Sequence, residues 1–279
     1  DGSILHRASV VRQDNTGYDL PALFVGSEGT LGVITAVDLR LYPVPAHRVT
    51  ALCGFEDLPA LVSAGRTFRD IDGIAACELI DGRAATLAAE HLGLPIPAPE
   101  HWLLLVELAG DTDPMERLAA GLESARPCGT PAVGIDPATR ERLWRLRESM
   151  AEVLGLFAPP LKFDVSLPLS AVASFAAESA TLIAENAPEA VPILFGHIGE
   201  GNLHLNVLRC DTDQEQRIYP AMMELIAAHR GNVSSEHGVG SRKRPYLGMS
   251  REPTDIAVMR SIKAALDPSG YLNPAVLFD

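Results

Sequence analysis

The sequence predicts an α+β fold in which an antiparallel sheet, built largely from β-α-β passes, is covered by helices. Three observations lead there. Short apolar runs alternate with segments of helical period. Asp57 and Asp81 stand where helix N-caps belong, and Gly93 stands where a helix should end. Two late apolar runs, 191–198 and 203–208, are joined by a reversal too short for a parallel crossover, so antiparallel pairing must enter the sheet.

The elements follow in order. Residues 32–41 alternate, with Val33, Thr35, Val37, Leu39 and Leu41 on one side and Asp38 and Arg40 on the other, which predicts a strand. Pro43 and Pro45 then punctuate the chain, so a boundary is expected at 43–47. Beyond it come a strand at 49–55, a helix from Asp57, a strand at 74–80 and a helix from Asp81 to before Gly93. The pattern repeats with a strand at 102–108, a helix after Pro114, a strand near Val133 and a long helix over 137–154. The two passes are ferredoxin-like in their order of strands and helices. A strand at 162–167, a helix over 169–186, the hairpin at 191–208 and a helix over 213–229 complete the unit.

Composition narrows the function classes. The 279 residues carry a formal charge of -13 and are 47% hydrophobic, which excludes disorder and argues against a charge-driven grip on nucleic acid or anionic membrane. The four cysteines lie far apart without a C-x-x-C pair, as expected of reduced thiols, and a cytoplasmic location is the default. No apolar run approaches the roughly 18 residues that span a bilayer. Asp1-Gly2-Ser3 reads as a turn, and the chain is expected to be part of a longer polypeptide.

The chemistry concentrates in two glycine-rich segments. In Gly196-His197-Ile198-Gly199-Glu200-Gly201-Asn202-Leu203-His204-Leu205-Asn206, a tight reversal at 199–202 sets His197 and His204 on neighbouring strands, and His204 and Asn206 face one side. Some thirty residues on, Ser234-Ser235-Glu236-His237-Gly238-Val239-Gly240 places a carboxylate and a third imidazole between small residues. Two His and one Glu suit a borderline divalent metal such as zinc, with positions left for substrate. His6, His91, His101 and His229, by contrast, read as ordinary core or rim histidines.

These segments, with Asp267-Pro268-Ser269-Gly270-Tyr271-Leu272-Asn273-Pro274, resemble the C-terminal half of FAD-linked oxidases of the vanillyl-alcohol oxidase superfamily, in the branch of D-lactate, D-2-hydroxyglutarate and glycolate dehydrogenases. The opening is similar too. Asp14-Asn15-Thr16-Gly17-Tyr18-Asp19-Leu20 and Gly26-Ser27-Glu28-Gly29-Thr30-Leu31-Gly32 resemble the end of that family's FAD-binding domain. The resemblance implies a remnant of the FAD-binding domain at 1–45, a substrate or cap domain at 46–262, and a tail at 263–279 returning to the FAD-binding domain. It implies metal ligands His197, His204 and Glu236, and His237 as proton acceptor. It places Arg147 (in Trp144-Arg145-Leu146-Arg147-Glu148) and Lys162 (in Leu161-Lys162-Phe163-Asp164) at the substrate carboxylate, with Asn206 as a polar wall. Gly26, Glu28, Gly29 and Asn273 would line the flavin.

The reaction so implied is oxidation of a D-2-hydroxy acid, with FAD as hydride acceptor because no side chain can receive a hydride. A metal lowers the alcohol's pKa, an imidazole of ordinary pKa roughly 6.5 takes the proton, and an arginine fork with an ammonium holds the carboxylate. Three departures stand against the family pattern. The glycine-rich phosphate-binding loop is absent, so this chain alone is expected to bind FAD weakly or not at all. Asn273-Pro274 is followed by Ala275-Val276 rather than Gly-Lys, and Ala151 stands where some hydroxyglutarate-type members carry a hydroxyl. The rival expectations are a catalytically silent metal-binding or assembly subunit of a flavoprotein complex, and a metallohydrolase using the same three ligands. Expected partners are a small 2-hydroxy acid, an electron acceptor of unspecified kind and a second copy in a homodimer.

Overall fold

The computed structural model describes residues 2–6, 11, 13–95, 102–156 and 159–278. They fall into two compact units, one of residues 44–235 and one of residues 1–43 with 236–279.

The larger unit is a seven-stranded antiparallel sheet, the α+β architecture that the hairpin and the β-α-β passes predict. Its strands are β1 (His47–Phe55), β2 (Ile74–Ile80), β3 (Trp102–Gly110), β4 (Cys128–Gly134), β5 (Leu161–Ser166), β6 (Val191–His197) and β7 (Asn202–Leu208). Their order is β4-β1-β3-β2-β6-β7-β5. The first four strands have the ferredoxin-like arrangement, in which β3 returns between β1 and β2. The hairpin then adds β6 beside β2, and β5 closes the far edge against β7.

Local chemistry explains the helices. α2 (Leu58–Arg69) opens on Asp57, whose side chain accepts from Ala60 N, and α3 (Gly82–Leu92) opens on Asp81, which accepts from Arg83 N. Gly93 ends α3 in the left-handed conformation, where a side chain would be strained. α4 (Met115–Ala125), α7 (Val172–Asn186) and α8 (Thr212–Ala228) complete the covering together with α5 (Pro137–Glu148) and α6 (Met150–Gly155). One continuous helix was expected over 137–154. Instead α5 ends at Ser149, whose N–H reaches both Arg145 O and Arg147 O, and α6 starts afresh.

The core on one face joins Leu52, Ile80, Leu103, Leu105, Ile193 and Phe195 of the sheet to the alanines of α3 and to Leu146, Met150 and Val153 of α5 and α6. Toward β6, β7 and β5 that face turns polar. Cys53 and Cys77 are buried, and burial pushes both thiols up to about 12, so neither is a thiolate nucleophile. Among the described residues all four cysteines are unbridged.

The smaller unit contains α1 (Leu20–Phe24), the short α9 (Gly240–Lys243) and α10 (Pro253–Leu266). Here the expected strand at 32–41 does not form: the segment has no ladder partner among the described residues, and Val33, Val37, Leu39 and Leu41 are exposed. Alternation supplies a face but not the neighbouring backbone that a strand needs. Lys263 Nζ donates to Thr30 O (2.7 Å), Leu272 O (2.8 Å) and Asp267. The unit resumes at Glu236 rather than 263, because the backbone of the 238–240 turn is bonded to Glu28. No helix among the described residues is long and apolar enough to cross a membrane.

Candidate active site

The polar end of the sheet is set by register. On β7, Asn202, His204 and Asn206 lie opposite His197, Phe195 and Ile193 of β6 on one side and opposite Ser166, Asp164 and Lys162 of β5 on the other. Pleating sends all of these side chains to the same face. The hairpin turn is therefore what brings the two imidazoles together: their ring centroids are 5.6 Å apart and nearly perpendicular. Gly196 makes the approach feasible, since a Cβ there would lie 2.5 Å from Asn202 O.

Each imidazole stands beside a buried carboxylate. His197 Nδ1 is 2.8 Å from Glu78 Oε1, across the β2–β6 border, and His204 Nδ1 is 3.9 Å from Asp164 Oδ1. With Nδ1 of His197 so engaged, Nε2 is the nitrogen that ring would offer to a metal, and Glu78 is the outer partner that orients it; the His204–Asp164 separation is beyond hydrogen-bond distance. Among the described residues of this face, His204 and Asp164 present ligand atoms within 4.8 Å of one another, donor types that suit a divalent cation, and His197 is not part of that group. Phe195 lies between the two groups, 5.3 Å from the His204 ring and 4.9 Å beneath the Arg147 guanidinium.

Arg147 projects from the last turn of α5, and its Nε donates to Glu78 Oε2 at 2.9 Å. Burial alone would raise the Glu78 carboxyl, but the His197 hydrogen bond and the Arg147 charge outweigh it and hold the group below its ordinary value. The same helix is fixed one turn earlier, where Trp144 Nε1 donates to Glu107 Oε2 (2.8 Å), a buried acid that also accepts from Thr50 Oγ1 and Arg48. Lys162 is exposed on β5, in register with the buried Asn206. Ala151, one turn beyond Arg147, is exposed on α6.

Within the larger unit, then, His197, His204, Arg147, Lys162 and Asn206 share one face. Ser235, its last residue, is pinned there: its N–H donates to Asp164 Oδ2 (3.0 Å) and its hydroxyl meets Ser166 Oγ at 2.6 Å. Glu236 and His237 follow immediately in the chain but belong to the other unit, where both are exposed and His237 Nε2 is 3.5 Å from Glu236 Oε1.

That second unit gathers the residues expected to line the flavin. Glu28, at a left-handed φ of 53°, accepts through its carboxylate from Val239 N and Gly240 N, both at 2.8 Å. Gly238 packs so closely that a Cβ would stand 2.9 Å from the Glu28 carboxyl carbon. Asn273 Nδ2 donates to Glu28 O at 2.5 Å. Gly26 and Gly29, with φ of 78° and 71°, present bare backbone at either side of this turn, the form against which a flat ring can lie. Residues 26, 28, 29 and 273 therefore cluster, and the turn fits a flavin edge. The sequence singles out neither Glu78, Asp164 nor Phe195. An acid flanked by apolar residues in a predicted strand, as in Cys77-Glu78-Leu79 and Phe163-Asp164-Val165, is the available signal.

Similarity to known proteins is extensive. The sequence profile of FAD linked oxidases, C-terminal domain, matches residues 44–277. A D-2-hydroxyglutarate dehydrogenase, mitochondrial, from Bos taurus is 38% identical over 98% of this chain and 52% of its own length. A D-2-hydroxyglutarate dehydrogenase from Stutzerimonas stutzeri is 31% identical over 99% of this chain and 62% of its own. The chain thus spans about half the length of the curated relatives it matches. Among solved structures, an alkyldihydroxyacetonephosphate synthase aligns with TM-score 0.61 at 15% identity, over 92% of this chain and 49% of its own. The 4-ethylphenol oxidase from Gulosibacter chungangensis aligns with TM-score 0.59 at 15% identity, over 86% and 55%. At such identity these two establish the fold alone.

Proposed function

Because this chain belongs to the family of FAD linked oxidases, C-terminal domain, we propose that it is the substrate-side part of an enzyme that oxidises a D-2-hydroxy acid to the 2-oxo acid. The observation that carries this reading is the single sheet face on which His197 and His204, each backed by a buried carboxylate, stand beside Arg147 and Lys162.

Arg147 and Lys162 hold the substrate carboxylate, the first through a planar fork and the second as a point charge. Asn206 bounds the pocket beside them. His197, His204 and Glu236 are the residues that would hold a divalent, zinc-like cation. Such a cation, when bound, lowers the pKa of the substrate hydroxyl. His237 would accept the hydroxyl proton; FAD, when bound, would supply the hydride acceptor, and Gly26, Glu28, Gly29 and Asn273 are the residues that would hold it. The relatives' names point to D-2-hydroxyglutarate, and in one case D-lactate, as examples of the substrate class.

The test is made on the whole protein expressed from its gene and loaded with flavin and zinc. A redox dye should be reduced in the presence of D-lactate or D-2-hydroxyglutarate and not of the L-enantiomers, and removal of the metal by a chelator should stop it. Flavin- and metal-loaded protein that turns over no D-2-hydroxy acid would sink the reading in favour of a silent assembly subunit. The 279-residue chain by itself is expected to purify without stoichiometric flavin absorbance; a bright yellow preparation would show that the segments at 26–29 and 273 suffice for binding.

A further inference from the structure

Glu78 takes no part in the chemistry assigned above, yet its two oxygens serve two different groups. Oε1 lies 2.8 Å from His197 Nδ1 and Oε2 accepts from Arg147 Nε at 2.9 Å. The carboxylate comes from β2, the arginine from α5 and the histidine from β6, so three elements meet on one buried anion. We propose that Glu78 is a positioning residue that sets both the tautomer of His197 and the rotamer of Arg147, and so aligns the metal-holding and carboxylate-holding ends of the substrate site with a single side chain. The proposal rests on the roles of His197 and Arg147 given under Proposed function.

The reason is the donor and acceptor inventory. An ionised carboxylate only accepts, and a guanidinium only donates. Oε1 therefore calls for a proton on Nδ1, which leaves the lone pair of a neutral ring on Nε2, the form that ligates metal. Oε2 engages Nε of Arg147, and the ring of Phe195 at 4.9 Å fixes the plane of the guanidinium, so its terminal nitrogens are directed rather than mobile. A glutamine of the same shape cannot serve both partners. With its carbonyl on Arg147, its amide faces Nδ1 and drives the ring proton to Nε2. With its carbonyl on His197, an amide N–H opposes the Arg147 N–H in a buried place.

The chain is labelled with 15N-histidine, and His197 is identified by the signal missing from H197Q. In metal-free wild type at about pH 9, where an imidazole is neutral, His197 should carry its proton on Nδ1. A predominant Nε2–H form overturns the proposal, and this result needs no variant to fold. In E78Q one of two outcomes is expected. Either the tautomer inverts and zinc affinity drops about 10- to 100-fold, or the tautomer is kept and KM for the 2-hydroxy acid in the full-length enzyme rises about tenfold with kcat little changed. E78Q with tautomer, zinc affinity and KM all unaltered overturns the proposal. Failure of the wild-type chain to bind zinc would count against the metal reading under Proposed function, while the tautomer measurement would still decide the role of Glu78.

Discussion

Replacing His204 with alanine is expected to empty the chain of metal and, in the full-length enzyme, to lower kcat/KM for the D-2-hydroxy acid by on the order of 10²- to 10³-fold, the several kcal/mol that a Lewis-acid cation contributes at a developing alkoxide. The effect should be selective. His204 is in the middle of β7 with Asp164 and Phe195 as lateral neighbours, and truncation leaves the ladder of backbone hydrogen bonds to β5 and β6 intact. Elemental analysis should find about one divalent ion in the wild-type chain and none in H204A, with little change in the far-UV spectrum. Equal metal content in both would show that this imidazole is not a ligand.

Arg147→Ala should act on two observables at once. Glu78 would keep its burial and its His197 contact but lose the guanidinium, and stripping one partner from a buried ion pair costs about 3–5 kcal/mol of stability. In the full-length enzyme the same change removes the fork that would hold the substrate carboxylate, worth about 1.5–3 kcal/mol, or roughly 10- to 100-fold in KM. The double variant Arg147→Ala with Glu78→Gln separates the two. It should recover much of the lost stability, because no uncompensated charge is left behind, and recover none of the substrate affinity. A single variant as stable as wild type in urea would remove the basis for treating the Arg147–Glu78 pair as a buried ion pair.

The sheet and the histidine hairpin were legible in the sequence because the information was local. Apolar runs of strand length, Asp57 and Asp81 at the helix starts and the glycines at 199 and 201 each act within a few residues, and together they fix β6, β7 and the facing of His197 and His204. Glu78 was not legible for the opposite reason: its partners stand 69 and 119 residues away, and a lone acid in an apolar strand has no periodic signature. Asp164 is hidden in the same way, being recognisable only once β5 is registered against β7. The alternation at 32–41 misled because side-chain period reports which residues could share a face, while a strand also requires a neighbour to bond. The break at Ser149 was invisible because both sides of it are helical in period.

The join between β2 and β6 differs from the rest of the sheet. Among the described residues only Leu79 with Gly196 and Ile80 with Phe195 are paired across it, against nine residue pairs between β1 and β3, and Asp81 N to Leu194 O and Gly199 N to Cys77 O extend it by one bond at each end. Glu78 and Arg147 stand on one bank of this narrow junction and His197 on the other. The two halves of the ladder are thus joined by a short line of backbone bonds, and an occupant gripping both banks would act as a clasp. Hydrogen exchange at the Asp81 amide should slow when substrate and cation are added together, far more than at amides in the middle of β3.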